Sequence, residues 1–169
     1  MQNTTAIATT FGALLFATAA SADDFRPAME AFYENTVQDW ASADVLVDAI
    51  RAQNSITAGY SDAEITALDE AWMAEVGSGS TPTISPVLEN PVAGFLREQV
   101  AASGGRITEV FVMDARGLNV AASHVTSDYW QGDEAKHSET YVAGPGAMHF
   151  SDVELDESTQ RYQGQISVT

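Results

Sequence analysis

ITEVFVMDARGLNVAAS, residues 107–123, is where the hydrophobic period of this chain changes to two. Ile107 to Met113 is rich in β-branched and aromatic side chains, which predicts a strand. Asp114-Ala115-Arg116-Gly117 has Asp first and Gly last, the composition of a tight turn. Leu118 to Ser123 then reads as the return strand. The segment predicts a β-hairpin and, from residue 107 onward, an antiparallel sheet.

Upstream of this hairpin the period is helical. Phe25, Met29, Phe32, Tyr33, Val37 and Trp40 recur at helical spacing, predicting a helix over 25–41. Val45, Leu46, Val47 and Ile50 predict a second over 43–54, with Asn54 as its C-cap. Ser61-Asp62-Ala63-Glu64 is a capping box that opens a helix over 62–76, striped by Ile65, Leu68, Trp72 and Val76. Residues 77–86, GSGSTPTISP, read as a loop. Asn90 and Pro91 supply the cap and first residue of a helix over 91–102.

Downstream, residues 124–146 form a long polar and aromatic excursion that ends at Gly144-Pro145-Gly146. Met148 to Leu155 predicts a third strand. Its apolar phase slips between Phe150 and Val153, which predicts a bulge. Asp156 to Thr159 reads as a turn, and Arg161 to Thr169 as a fourth strand. Helices followed by an antiparallel meander argue an α+β fold, with a helical part over 23–105 and a sheet part over 106–169.

The N-terminus adds an expectation about location. Residues 1–22 carry no charged side chain, and the stretch Ala6 to Ala20 is apolar and small. Ala20-Ser21-Ala22 is an A-x-A signal, so residues 1–22 read as a secretory signal peptide cleaved after Ala22. The mature chain, 23–169, is expected to be a single periplasmic or secreted domain. The chain has no cysteine, which excludes disulfides, thiol catalysis and cysteine-held metals. Only 7 Lys and Arg face 24 Asp and Glu, for a net charge of −17. Nucleic acid would require a basic face, and anionic lipid a basic cluster.

Residues 107–169 resemble the Cache or PDC family of extracytoplasmic sensors, which have a PAS-like fold. The likeness rests on Ile107 to Asp114 followed by Arg116-Gly117, on Asn119-Val120-Ala121-Ala122-Ser123, on Thr126-Ser127-Asp128-Tyr129-Trp130-Gln131-Gly132-Asp133-Glu134, and on Ser151-Asp152-Val153 with Tyr162 to Val168. It implies a PAS-like antiparallel sheet, here lacking its last strand, and a crossover segment lying over that sheet. It also implies a non-catalytic, ligand-sensing role in signal transduction, with a small ligand between sheet and crossover and a membrane-bound signalling partner.

The residues themselves single out the same crossover. Tyr129, Trp130, Asp133, Lys136, His137, Glu139 and Tyr141 fall within thirteen residues. Aromatic faces with carboxylates suit a cation or amine. The candidate ligand-binding residues are therefore Tyr129, Trp130, Asp133, His137 and Tyr141, and a closed pocket for a small neutral or cationic ligand is expected under Tyr129, Trp130 and Tyr141. Packing of Trp130 and Tyr141 is the plain alternative. Asp152, Glu154 and Asp156 alternate along one strand, as the wet face of an edge or as a Ca²⁺ site. His124, His137 and His149 lack zinc-site spacing. Ser123-His124 with Asp128 has the side chains of a triad but no nucleophile elbow. No cofactor fingerprint is present. Beside the ligand-sensing reading stand an acidic cation-binding or structural envelope protein and, last, a hydrolase.

Overall fold

The computed structural model describes residues 22–156 and 161–169. Most of the stretch expected to be a signal peptide and most of the turn expected at 156–159 lie outside them.

The helices come first. α1 (Ala22–Phe32) and α2 (Gln38–Ala41) are joined by a π-helical turn over Tyr33–Val37, so the single helix expected at 25–41 is interrupted. α3 (Asp44–Thr57) runs three residues beyond its expected end, past the Asn54 read as its cap. Asn54 instead offers its side-chain oxygen to Ala115 N at 2.7 Å. α4 (Asp62–Glu75) starts at the predicted capping box: Ser61 Oγ accepts from Glu64 N, and Glu64 accepts from Ser61 N at 2.8 Å. The Ser61 amide, then its hydroxyl, hold the Glu64 carboxyl below its ordinary pKa.

The expected loop at 77–86 contains the start of α5 (Ser85–Leu88). Glu75 closes that turn by accepting from the amides of Thr83 and Ile84. Burial alone would raise the Glu75 pKa, but the bonds from Ile84 and Thr83 together bring it down. α6 (Pro91–Ala102) begins where Asn90 and Pro91 predict, with Asn90 Oδ1 accepting from Ala93 N at 2.8 Å.

The strands follow, in antiparallel pairs, so the chain is α+β. β1 (Phe111–Met113) pairs with β2 (Asn119–Ala122) around the predicted turn. Ser123 extends the ladder, its N donating to Val110 O and its Oγ accepting from Val110 N. After the crossover and the short α7 (Ala135–Ser138), which the sequence shows only as polar excursion, comes a second hairpin. β3 (Met148–Phe150) pairs with β6 (Ile166–Val168), and β4 (Glu154–Asp156) with β5 (Arg161–Gln163). Between the two ladders Ser151–Val153 oppose Gly164–Gln165, three residues against two, which is the bulge predicted between Phe150 and Val153.

The expectation of one PAS-like sheet is corrected to three two-stranded sheets among the described residues. The bulge divides one ribbon into two ladders, and residues 124–147 keep that ribbon apart from β1–β2.

The first hairpin lies between two helical layers. On one side Val110, Val112 and Ala121 pack with Leu46, Val92, Ala93, Leu96, Trp40 and Phe95. On the other Phe111 and Ala122 pack with Trp72, Ile84, Val87 and Tyr129. All four residues of β2 are therefore buried, and Ala121 and Ala122 keep the layers close. Each large aliphatic side chain buried here contributes about 1.5–3 kcal/mol. α1 covers the second ribbon instead, with the Arg26 guanidinium 4.9 Å from the Phe150 ring centroid. Among the described residues no helix is long and apolar enough to cross a membrane.

Candidate functional site

The crossover is fastened to β2 on one side and α4 on the other. Asn119 N donates to Tyr129 O at 3.1 Å, Gln131 N to Gly117 O at 2.8 Å, and Leu118 bridges Trp130. Opposite, one oxygen of Asp69, on α4, accepts from the amides of both Tyr129 and Trp130, at 2.8 and 2.9 Å. Two successive amides on one carboxylate fix the backbone from which both rings project. Gly117, at φ +79°, allows the close approach: a Cβ there would stand 2.5 Å from the Cα of Gly132. Asp69 carries no sequence signal, because its partners lie sixty residues away.

Asp114 holds the tip of the first hairpin. Its buried carboxylate accepts from Gln53 Nε2, Thr57 Oγ1, Arg116 N and Leu118 N, at 2.8 to 3.0 Å. A buried carboxylate with four donors is a satisfied one, and it joins α3 to the turn. The turn in turn aims Arg116 at α4, where Nη1 donates to Tyr60 O at 3.0 Å and Nη2 to Asp62 Oδ1 at 3.1 Å.

Between α4 and this turn lies a cleft of about 210 Å³ lined by Asp62, Ile65, Thr66, Arg116 and Trp130. Trp130 is half-buried, and its indole Nε1 donates to Arg116 O at 2.8 Å, so ring and guanidinium-bearing backbone are locked together. The cleft thus combines an aromatic wall, an aliphatic floor, one cation and one carboxylate. Asp62 is fully exposed, so solvent screens the pair and it contributes little to stability. A larger hollow of about 380 Å³ borders α5 at Pro82, Ser85, Pro86, Glu89 and Asn90. It is an open surface without a ring or a cation, and Asn90 is already committed to capping α6.

The five candidate residues separate into two groups. Tyr129 stacks on Trp72, centroids 5.4 Å apart at 16°, and belongs to the inner core. Burial first, then the negative charge of Asp114 and the nearby Tyr60, push its phenol up to about 12, so it stays neutral. Trp130 faces the cleft. Asp133 is exposed. His137 is buried and stacks on the exposed Tyr141, centroids 5.4 Å apart at 23°, away from the Trp130 cleft. Tyr129, Trp130 and Tyr141 therefore do not wall one closed pocket. Residues distant in sequence, Asp62, Ile65, Thr66 and Arg116, complete the wall that Trp130 begins.

The other candidates lie elsewhere. Ser123 Oγ and His124 Nδ1 are 3.1 Å apart, but Ser123 is buried, lines neither hollow and accepts from Val110 N. His149 Nδ1 meets Glu139 Oε2 at 2.9 Å. Among the described residues no three His, Asp or Glu converge to hold a metal ion. Comparison with protein-family models, with curated proteins and with solved structures finds no match for the chain.

Proposed function

We propose that this chain is a non-catalytic domain that binds a small, net-neutral or cationic ligand in the Trp130 cleft, as an exported sensing or binding module of the Cache or PDC kind. The observation that carries the reading is the cleft itself, with the Trp130 ring and the Arg116–Asp62 pair around one space. At about 30 Å³ per water, that space holds roughly seven waters' worth of ligand, so the ligand is small. Arg116 and Asp62 cancel, and the chain's charge of −17 repels anions. Arg116 is bonded to Asp62, and the Trp130 indole to the Arg116 carbonyl, so the walls of the cleft are held in place for recognition.

The test is a thermal-shift screen with amino acids, amines, carboxylates and divalent ions, because a ligand of the native state raises its melting point. A compound that stabilises the wild type and loses its effect in Trp130→Ala and Arg116→Met supports the reading. A hit that is equally effective in both variants places binding elsewhere, and preferential citrate or malate binding contradicts the charge argument.

A further inference from the structure

Lys136, on α7, is a cation taken almost out of water. Its side chain is 14% exposed. The ammonium donates to Gln131 Oε1 at 2.6 Å and pairs with Glu134 Oε2 at 2.8 Å. It also lies 5.4 Å from the centroid of the Phe111 ring, within range of a cation–π contact. Gln131 is fully buried, and its Nε2 is tied to Asp128, so its oxygen is held in place. These groups come from β1 and the crossover, and they converge on one nitrogen.

A neutral amide oxygen, a carboxylate and an aromatic face around one point is the chemistry that recognises an alkylammonium. We infer that Gln131, Glu134 and Phe111 form an ammonium-binding site, distinct from the Trp130 cleft, whose resident occupant is the chain's own Lys136, and that an external primary amine binds there only by displacing it. The site is autoinhibited: the tethered ammonium is present at high effective concentration, so a free amine competes poorly in the wild type. Glu109 senses the same occupant. Burial raises its carboxyl pKa, while the charges of His124 and Lys136 pull it back.

The experiment is chemical rescue. Lys136→Ala removes the side chain beyond Cβ, which n-propylammonium replaces atom for atom. The variant should melt several degrees below the wild type. n-Propylammonium chloride should restore most of the loss, whereas propanol and sodium chloride at equal concentration should not. The wild type should not respond at concentrations that saturate the variant. Lys136→Met, which keeps the stem against Phe111, should respond in the same way to the smaller ammonium ion and covers the case in which the alanine variant does not fold. Rescue should vanish when Gln131→Leu is added. An equal response to propanol, no response in either variant, or an equal response in the wild type would each overturn the inference. Each response is read in the Trp130→Ala background, so that an amine bound in the cleft does not enter the comparison.

Discussion

Among the described residues, two antiparallel hairpins have similar strand length and different surroundings. The first, β1–β2, has helices on both faces, and its second strand is wholly buried. The second, β3–β4 with β5–β6, is broken by a bulge and carries an exposed cross-strand pair, Leu155 opposite Tyr162, the latter 73% exposed. Both segments alternate and both have β-forming residues. What separates them is how much of each the remote helices cover, so stability is expected to concentrate around the first hairpin and the crossover fastened to it.

The largest expected contrast is between an aromatic above each hairpin. Trp72 is 0% exposed, stacks on Tyr129 and donates its Nε1 to Thr126 O at 2.9 Å. Trp72→Ala should cost about 3–5 kcal/mol in urea unfolding. Tyr162→Ala on the second hairpin should stay within about 0.5 kcal/mol. Comparable losses would mean that the second ribbon is as deeply integrated as the first.

The same substitution at a glycine of each hairpin sharpens the point. Gly117→Ala combines left-handed strain of about 1–2 kcal/mol with a collision against the Gly132 backbone, costing about 1–3 kcal/mol. Gly164→Ala meets only side-chain atoms, Met29 Cε at 3.0 Å and Val153 Cγ2 at 3.1 Å, and the Met29 tip can swing aside. Its effect should stay below about 1 kcal/mol by the same chemical denaturation.

Next in size is the hairpin tip. Asp114→Ala strands four donors and should lose about 2–4 kcal/mol. Asp114→Asn, which retains acceptor oxygen on one side, should recover part of this in thermal unfolding.

The smallest effect is pH-dependent. Glu109, just before β1, has its carboxyl pKa raised chiefly by burial. A raised carboxyl stabilises the fold below its ordinary range, and that contribution disappears as pH rises through the folded-state value. Glu109→Gln should therefore remove a shallow fall in stability as pH rises above the ordinary glutamate range, seen as a flatter plot of urea midpoint against pH. The residue retains an exposed surface, so the change is modest.

The helices and the first hairpin were legible because their signals are local. Ser61 and Glu64 meet one turn apart, Asn90 caps three residues ahead, and Asp114 to Gly117 close a turn among themselves. Even the bulge showed as a slipped alternation. The cleft was only half legible. Trp130 stood out by type, but Asp62, Ile65 and Thr66 read as an ordinary helix start, and Arg116 as a turn residue. Nothing local reveals that α4 and the turn face each other. The short α5 and α7 escaped for a related reason: four residues hold too little of a helical period to recognise.

The indoles at Trp40, Trp72 and Trp130 have three different surroundings. Trp72 is sealed, Trp40 is partly covered with its ring edge-on to Phe95, and Trp130 borders the cleft. The unlabelled protein therefore carries its own optical gauge. Emission from Trp72 should lie furthest to the blue and resist an aqueous quencher until global unfolding, whereas Trp130 should quench first and change when the cleft fills. Single Trp→Phe replacements would assign each component, turning one spectrum into a site-resolved record of which layer opens and when.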